Sequence, residues 1–323
     1  MGATIALNLV KSKQVEQVTV YDVDRHRLSA LTRGERSSKL AAKVHDVRRR
    51  RETVESLKKA DVGIGALPHG LSEYAIHSAI DARVNFIDLI FGWRFGQAEI
   101  NAACKRRGIT IIPACGLAPG LLRKARIIKN RRIVDVPPLS GLEIVNFPAP
   151  VGKCECFYTD GLSTLVQTIR KVREMDEKTI RWPGHAEQIK TLIDCGLLAT
   201  KPVTYHNLSI SPREFVSKAL SEKLALGEER DLTLLRVEVS GRKNGKKIRH
   251  RYQMIDHYDI RRGITSMART TAFPCSIAAE ILALGRIRQK GLVPPEIAFK
   301  GDLRDELLGY VAARGMDIES KFI

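Results

Sequence analysis

Residues 1–12, MGATIALNLVKS, set a Gly-Ala pair directly ahead of an amphipathic apolar stretch. Ile5 and Leu9, with Leu7 and Val10 beside them, are apolar at helical spacing. Asp22 follows 20 residues after Gly2 and closes an apolar strand that starts at Val18. A helix entered at a glycine, then a strand ending in an acid, is the order of a dinucleotide-binding unit. There, G-x-G-x-x-G joins the first strand to the first helix. The third glycine lets helix and strand approach, the helix N-terminus carries the pyrophosphate, and the acid binds a ribose. With Gly2 as that third glycine, the first strand and the other two glycines are expected ahead of Met1. The alternative reading makes Asp22 a turn residue.

The same alternation continues. Helices are expected at Arg25–Thr32, in RETVESLKKA (51–60), in SEYAIHSAIDA (72–82, Ser72 a possible cap) and in QAEINAACKRRG (97–108). Strands are expected in AAKVHDV (41–47), DVGIGALP (61–68), VNFIDLIFG (84–92) and ITIIPACG (109–116). Strands separated by helices imply a parallel sheet wrapped on both faces. After Gly120 the texture changes. Residues 142–165 and 231–258 alternate apolar and polar, the latter around an Asn244-Gly245 turn. Helices are expected near 163–177, 184–196 and 211–226, and a last one in TTAFPCSIAAEILALGRI (270–287), opened or capped by Thr270 and Thr271. The fold class is therefore α/β: a doubly wound, Rossmann-like parallel sheet lacking its first strand, with a second α+β domain containing an antiparallel sheet. The first domain is expected over 1–120 plus about 264–323, the second over about 121–263.

Composition narrows the function. The chain of 323 residues is 44% hydrophobic and 28% charged, as in a globular protein. No apolar run reaches the roughly 18–20 residues that span a bilayer, and no leader is evident, so the expected location is cytoplasmic, with no membrane partner. The net charge of +18 sits in short dispersed runs with little aromatic interleaving, which fits solvated surface better than nucleic-acid binding. Cys154 and Cys156 share one strand face, but no second pair completes a zinc site, so no metal is expected.

VTVYDVD (18–24), KVHDV (43–47), ALPHGLSEYAI (66–76), NFIDL (85–89) and CGLAPGL (115–121) together resemble the saccharopine dehydrogenase family. So do VPPLSGLE (136–143), CFYTDGLSTL (156–165), KTIRWPGHAEQIKTLIDCGLL (178–198), YDIRRGITSMARTTAFPCSIAAEIL (258–282) and KGLVPPE (290–296). The branch they most resemble is lysine 6-dehydrogenase. The resemblance covers nearly the whole chain and departs from the family's pattern at the start and directly after Leu121, where a deletion is expected. It implies oxidative deamination of lysine to the 2-aminoadipate semialdehyde level, with hydride passing to a nicotinamide. Saccharopine chemistry at the same C–N bond is the runner-up. A catalytically impaired remnant that keeps the fold or dimer surface is the alternative, because the two departures fall at the cofactor phosphates and the substrate pocket; on that reading the 323-residue chain binds NAD weakly and does not turn over lysine.

The resemblance and the strand-end positions nominate residues. Gly2, Asp22, Asp46, Val47, Leu67 and Pro68 are the cofactor candidates: Asp46 and Val47 flank adenine, Leu67 and Pro68 face the nicotinamide-side ribose. Asp22 favours NAD, since its charge repels a 2′-phosphate, while Arg25 and Arg27 keep NADP open. Asp88 ends the fourth strand, at the switch-point cleft, and is nominated for the substrate amine or as a structural aspartate. In the second domain Tyr158, Thr159 and Asp160 line a polar pocket or form an Asx turn. Arg181 grips a carboxylate or lies on the surface; His185 shuttles a proton or is structural. The expected partners are a small amino-acid substrate and, through strand edges of the second domain, a second copy in a homodimer.

Overall fold

The computed structural model describes residues 1–68, 70–90, 97–116, 124–224, 227 and 229–323, Glu222 by its backbone alone. The stretch 117–123, with the expected deletion after Leu121, lies outside the described residues. The chain divides into two compact units, Met1–Leu117 with Asp231–Ile323, and Ala118–Arg230. The return to the first unit thus comes at Asp231 rather than near 264.

The first unit opens with α1 (Gly2–Leu9), β1 (Val18–Asp22), α2 (Arg25–Gly34), β2 (Leu40–Val44), α3 (Arg50–Leu57), β3 (Val62–Gly65), α4 (Ser72–Ala82), β4 (Asn85–Asp88), α5 (Gln97–Arg107) and β5 (Thr110–Ile112). The expected boundaries shift inward at the strand ends, and Ser72 does not cap: it is the first residue of α4, behind Leu71. All the strands run parallel, as the alternation with helices requires. Successive residues bury on opposite faces. Phe86 and Ile111 join Ile76, Ile80 and Ile100 under α4 and α5, whereas Ile87 and Ile112 join Ile5, Leu9, Ile277 and Ile281. Covering both faces is what lets a parallel sheet exclude water.

The sheet is in two pieces. β1 pairs with β2 alone, and β3 pairs with β4 on one side only. In a strand, the N–H and C=O of one residue point the same way, and the direction alternates. The Asp22 carbonyl faces β2, accepting from His45 N–H, and the Gly65 carbonyl faces β4, accepting from Leu89 N–H, each at 3.0 Å. The backbone groups of Thr19 and Tyr21 therefore point away from β2, and those of Val62 and Ile64 away from β4, edges that no described strand pairs with. Edges in these positions flank the first strand of a doubly wound sheet.

The second unit contains β6 (Ala125–Lys129), β7 (Arg132–Val136), β8 (Glu143–Asn146), β9 (Lys153–Tyr158), α6 (Leu165–Thr168), β10 (Lys178–Arg181), α7 (His185–Asp194), β11 (Val203–Tyr205), β12 (Leu208–Ile210) and α8 (Pro212–Lys223). β10, β9 and β8 form an antiparallel sheet; β6–β7 and β11–β12 are hairpins. The helix expected over 163–177 shrinks to one turn, α6. Met175 instead exchanges both backbone hydrogen bonds with Ile128 of β6, at 2.8 and 2.9 Å. Pairing with a strand edge far away in sequence overrides the local helical pattern.

The chain then returns to the first unit with β13 (Leu232–Lys243) and β14 (Lys246–His257), followed by α9 (Ser266–Ala283), β15 (Gly291–Leu292), α10 (Pro295–Ala298), α11 (Asp302–Ala312) and β16 (Glu319–Phe322). Asn244 and Gly245, at φ of 50° and 76°, make the expected two-residue turn, whose twist suits a hairpin. β15 extends the parallel sheet beside β5, and β16 pairs with β14. Helix α9 starts four residues earlier than expected. Thr265 caps it through Ala268 N–H, and the Asp231 carboxylate accepts the N–H groups of Ser266 and Met267 at 2.7 and 2.8 Å. Thr270 and Thr271 are consequently buried within the helix and do not cap it.

Candidate functional site

In the first unit the strand ends carry the chemistry. Asp22 Oδ1 accepts Asp24 N–H at 2.9 Å, which turns the chain out of β1 and leaves Oδ2 unbonded among the described residues. Asp24 then caps α2 by accepting from His26 and Arg27 N–H. Three basic residues, Arg25, His26 and Arg27, follow within five positions of Asp22. Arg27 pairs with Asp24 at 3.3 Å, Arg48 with Asp46, and Arg49 with Glu52 at 3.6 Å. Arg25 has no ion pair among the described residues.

The other cofactor candidates fare differently. The guanidinium of Arg48, hydrogen-bonded to Asp46, holds that carboxyl down to about 2, so the Asp46 charge is spent within its own loop. Val47 and Leu67 are half-buried and pack against the core under α4 and α5. Pro68 is exposed and accepts Leu71 N–H at 3.1 Å. Gly2 opens α1, whose N-terminus has no side-chain cap, and a Cβ there would meet Ala66 Cβ at 3.5 Å. The start of α1 thus lies at the C-terminal end of β3. Asp88 is fully buried; its Oδ1 accepts Ile90 N–H at 2.9 Å, and its carbonyl accepts from Cys115. A Cβ on Gly65 would stand 2.5 Å from Asp88 Oδ2, so only glycine leaves that carboxylate room.

In the second unit, alternation along β9 and β10 sorts the candidates onto two faces. Glu155, Phe157 and Thr159 share one face with Thr179 and Arg181, because Phe157 registers with Thr179 and Glu155 with Arg181. Tyr158 lies on the other face, its ring 4.7 Å below Lys178 Nζ and against Gly141, apart from the residues it was grouped with. Asp160 pairs with Arg126 of β6 at 3.2 Å.

The shared face is polar and partly closed from water. Glu155, 5% exposed, accepts Gly184 N–H at 2.8 Å and Ala186 N–H at 2.6 Å, which caps α7 and fixes His185 at its first position. The His185 ring lies parallel to Phe157, with centroids 6.3 Å apart, and its Nε2 is buried with no hydrogen-bond partner among the described residues. Burial, reinforced by the Arg181 charge, holds the imidazole below its ordinary range, so it is neutral near pH 7. Arg181 donates to its own neighbour's carbonyl, Ile180 O, at 2.9 Å and has no ion pair among the described residues. Burial lowers its pKa, and the charge of Glu177 acts the other way. Glu177 itself accepts Thr159 Oγ1–H at 2.6 Å, and Thr159 and Thr179 share a hydrogen bond at 2.7 Å. Burial pushes the Glu177 carboxyl up to about 6.

Structure therefore brings Thr159, Arg181 and His185 together and adds two carboxylates, Glu155 and Glu177. The strand alternation that exposes Thr179 and Arg181 on one face also points to both glutamates. No group of three His, Cys, Asp or Glu residues able to hold a metal occurs among the described residues. None of the described helices is long and apolar enough to cross a membrane.

Residues 1–112 match the family described as "Saccharopine dehydrogenase NADP binding domain", and residues 116–316 that described as "Saccharopine dehydrogenase C-terminal domain". A saccharopine dehydrogenase (NADP+, L-glutamate-forming) of Schizosaccharomyces pombe is 29% identical over 193 residues, 58% of this chain and 39% of that protein. The chain thus aligns with about two fifths of that relative's length. The apo saccharopine dehydrogenase (L-Glu forming) of Saccharomyces cerevisiae has the same fold, with a TM-score of 0.77 at 16% identity over 100% of this chain and 98% of that one. The two matched domains run in order along almost all of the sequence, and the chain belongs to the saccharopine dehydrogenase family.

Proposed function

We propose that this protein is an NADP-linked oxidoreductase acting on a C–N bond of a lysine-derived amino acid, of the saccharopine type. The observation that carries the substrate half is the polar face of the second unit. There, a half-buried guanidinium without an ion pair stands beside an imidazole whose inner nitrogen is unpartnered. A desolvated cation gains most from a bidentate carboxylate. Lysine itself is the second reading, supported by the resemblance to lysine 6-dehydrogenase.

On this reading the first unit holds the dinucleotide. Its donor set fits the group: the open Oδ2 of Asp22 accepts from a ribose hydroxyl, and the uncapped start of α1 offers N–H groups to a pyrophosphate. Arg25, three positions after Asp22 and without an ion pair among the described residues, supplies a cation that suits a 2′-phosphate. This revises the expectation of NAD first, in line with the NADP of the matched domain and of the fission-yeast relative's name. A bound nicotinamide supplies the hydride acceptor. In the second unit Arg181 orients the amino acid by its carboxylate. Neutral His185 takes a proton at Nε2 as the amine is oxidised toward the imine.

Arg25→Ala is expected to weaken NADPH binding about tenfold or more, the range of a charge-assisted hydrogen bond, and NADH binding little. Fluorescence titration of both nucleotides checks this. Tighter binding of NADH than NADPH by the unaltered protein would refute the cofactor assignment.

A further inference from the structure

The far end of α1 carries a second set of polar groups. Beyond Leu9 the chain stays wound as far as Ser12, because Lys11 N–H donates to Asn8 O at 3.3 Å and Ser12 N–H to Leu9 O at 3.0 Å. Asn8 and Ser12, four positions apart, therefore share one side of the helix, about 6 Å from each other along its axis. Each holds a charged side chain brought from elsewhere in the first unit. Asn8 Oδ1 accepts Arg314 Nε–H at 3.2 Å, while Asn8 Nδ2 donates to Ser276 Oγ of α9 at 2.5 Å. Ser12 Oγ donates to Glu280 Oε2, also of α9, at 2.8 Å.

A guanidinium and a carboxylate are thus docked one helical turn apart through neutral partners. Neither has an ion pair among the described residues, and Glu280 Oε1 is buried with no hydrogen-bond partner among them. A desolvated carboxylate oxygen left unpartnered is costly unless a ligand supplies the missing donor. Both residues line one cavity of about 370 Å³ between α1, α9 and α11, within the roughly 300–1,000 Å³ of small-molecule sites. Lys11 lines it too, exposed and without an ion pair among the described residues. The other carboxylate on its wall, Glu306, is neutralised by Arg286 at 2.5 Å. Two cations, Lys11 and Arg314, then face one uncompensated carboxylate, Glu280.

A ligand that balances this set carries two carboxylates and one ammonium. We propose that the cavity binds an acidic α-amino acid, with its ammonium on the Glu280 carboxylate, its α-carboxylate on Arg314 and its side-chain carboxylate on Lys11. The ammonium and α-carboxylate of an amino acid are joined through a single carbon, which suits receptors held one helical turn apart. The Lys11 contact then selects an acidic side chain over an apolar one. All the lining groups belong to the first unit, and they stand at the end of α1 away from Gly2. The site is therefore separate from the helix start assigned to the dinucleotide and from the Arg181 face. An occupant ties α1 to α9 and α11, and so stabilises the folded chain by mass action.

The test uses the full chain without cofactor, and calorimetric titration of three probes. These are L-glutamate, glutarate, which lacks the amine, and L-norvaline, which has a methyl group in place of the side-chain carboxylate. Each titration is repeated with Arg181→Gln, which disables the polar face of the second unit. Glutamate is expected to bind about tenfold or more tightly than either analogue, equally in the Arg181→Gln chain, and to raise the melting temperature. Glu280→Gln should abolish its advantage over glutarate, and Lys11→Met its advantage over norvaline. Lys11 is exposed, so that second variant decides the matter if Glu280→Gln fails to fold. Equal binding of all three probes, loss of glutamate binding in Arg181→Gln, or an undiminished preference in Lys11→Met overturns the proposal.

Discussion

A chain with a five-residue Val/Ile-rich strand and a Gly-x-Gly turn fused ahead of Met1 is expected to bind NADPH about tenfold or more tightly than residues 1–323, and to unfold at a higher temperature. The strand length is that of β1, five residues. The free edge of β1 presents the backbone of Thr19 and Tyr21, and that of β3 the backbone of Val62 and Ile64; a doubly wound sheet seats its first strand between two such edges. All four residues are at least partly exposed, so water now meets these groups and their cost is less than full burial would exact. A parallel strand there would satisfy both edges, at about 0.5–1.5 kcal/mol net per hydrogen bond. Its C-terminal end would arrive beside Ala66, where α1 begins, so the glycine turn would add backbone N–H groups next to the uncapped helix start. Scanning calorimetry and NADPH titration of the two chains check this. A fusion with unchanged melting temperature and unchanged affinity would mean that these edges do not accept a strand.

The second large effect lies where α9 meets the long hairpin. Arg269, 9% exposed, is ion-paired to Asp256, 3% exposed, and to Asp259 at 3.3 Å. Arg269→Met is expected to cost about 3–5 kcal/mol, because it strands the buried Asp256 carboxylate, whereas Asp259 keeps its ion pair with Arg262 at 2.8 Å. That is a large share of the ~5–15 kcal/mol that stabilises a typical domain. Adding Asp256→Asn should recover part of the loss, since it removes the stranded charge; the hydrogen bond from Ser266 Oγ to Asp256 keeps the recovery incomplete. Urea unfolding of the single and double variants measures both. A single-variant loss under about 1 kcal/mol would show the ion pair to be solvated.

That same contact explains a misreading of the sequence. β13 and β14 alternate as any antiparallel hairpin does, and local texture placed them in the second domain. Their allegiance is decided by Asp231, Asp256 and Asp259, which cap or pair with α9 residues 10 to 36 positions away. No local pattern encodes such contacts. By contrast, the parallel sheet was legible, because each strand from Val18 to Ile112 is a short apolar run set between helices, and the Asn244-Gly245 turn announced itself through residues that tolerate positive φ. The site was half legible. Arg181 and His185 stood out by chemistry, whereas Glu155 looks like a surface acid until strand register sets it, 5% exposed, opposite Arg181.

The central claim, NADP-linked chemistry at a C–N bond, is tested most directly by following NADPH fluorescence after mixing the strand-completed chain with NADP+ and either saccharopine or lysine at alkaline pH. Reduced cofactor is expected to form with saccharopine, or failing that with lysine, and Arg181→Gln to suppress its formation. Tight NADPH binding with no reduced cofactor formed from either amino acid would contradict it.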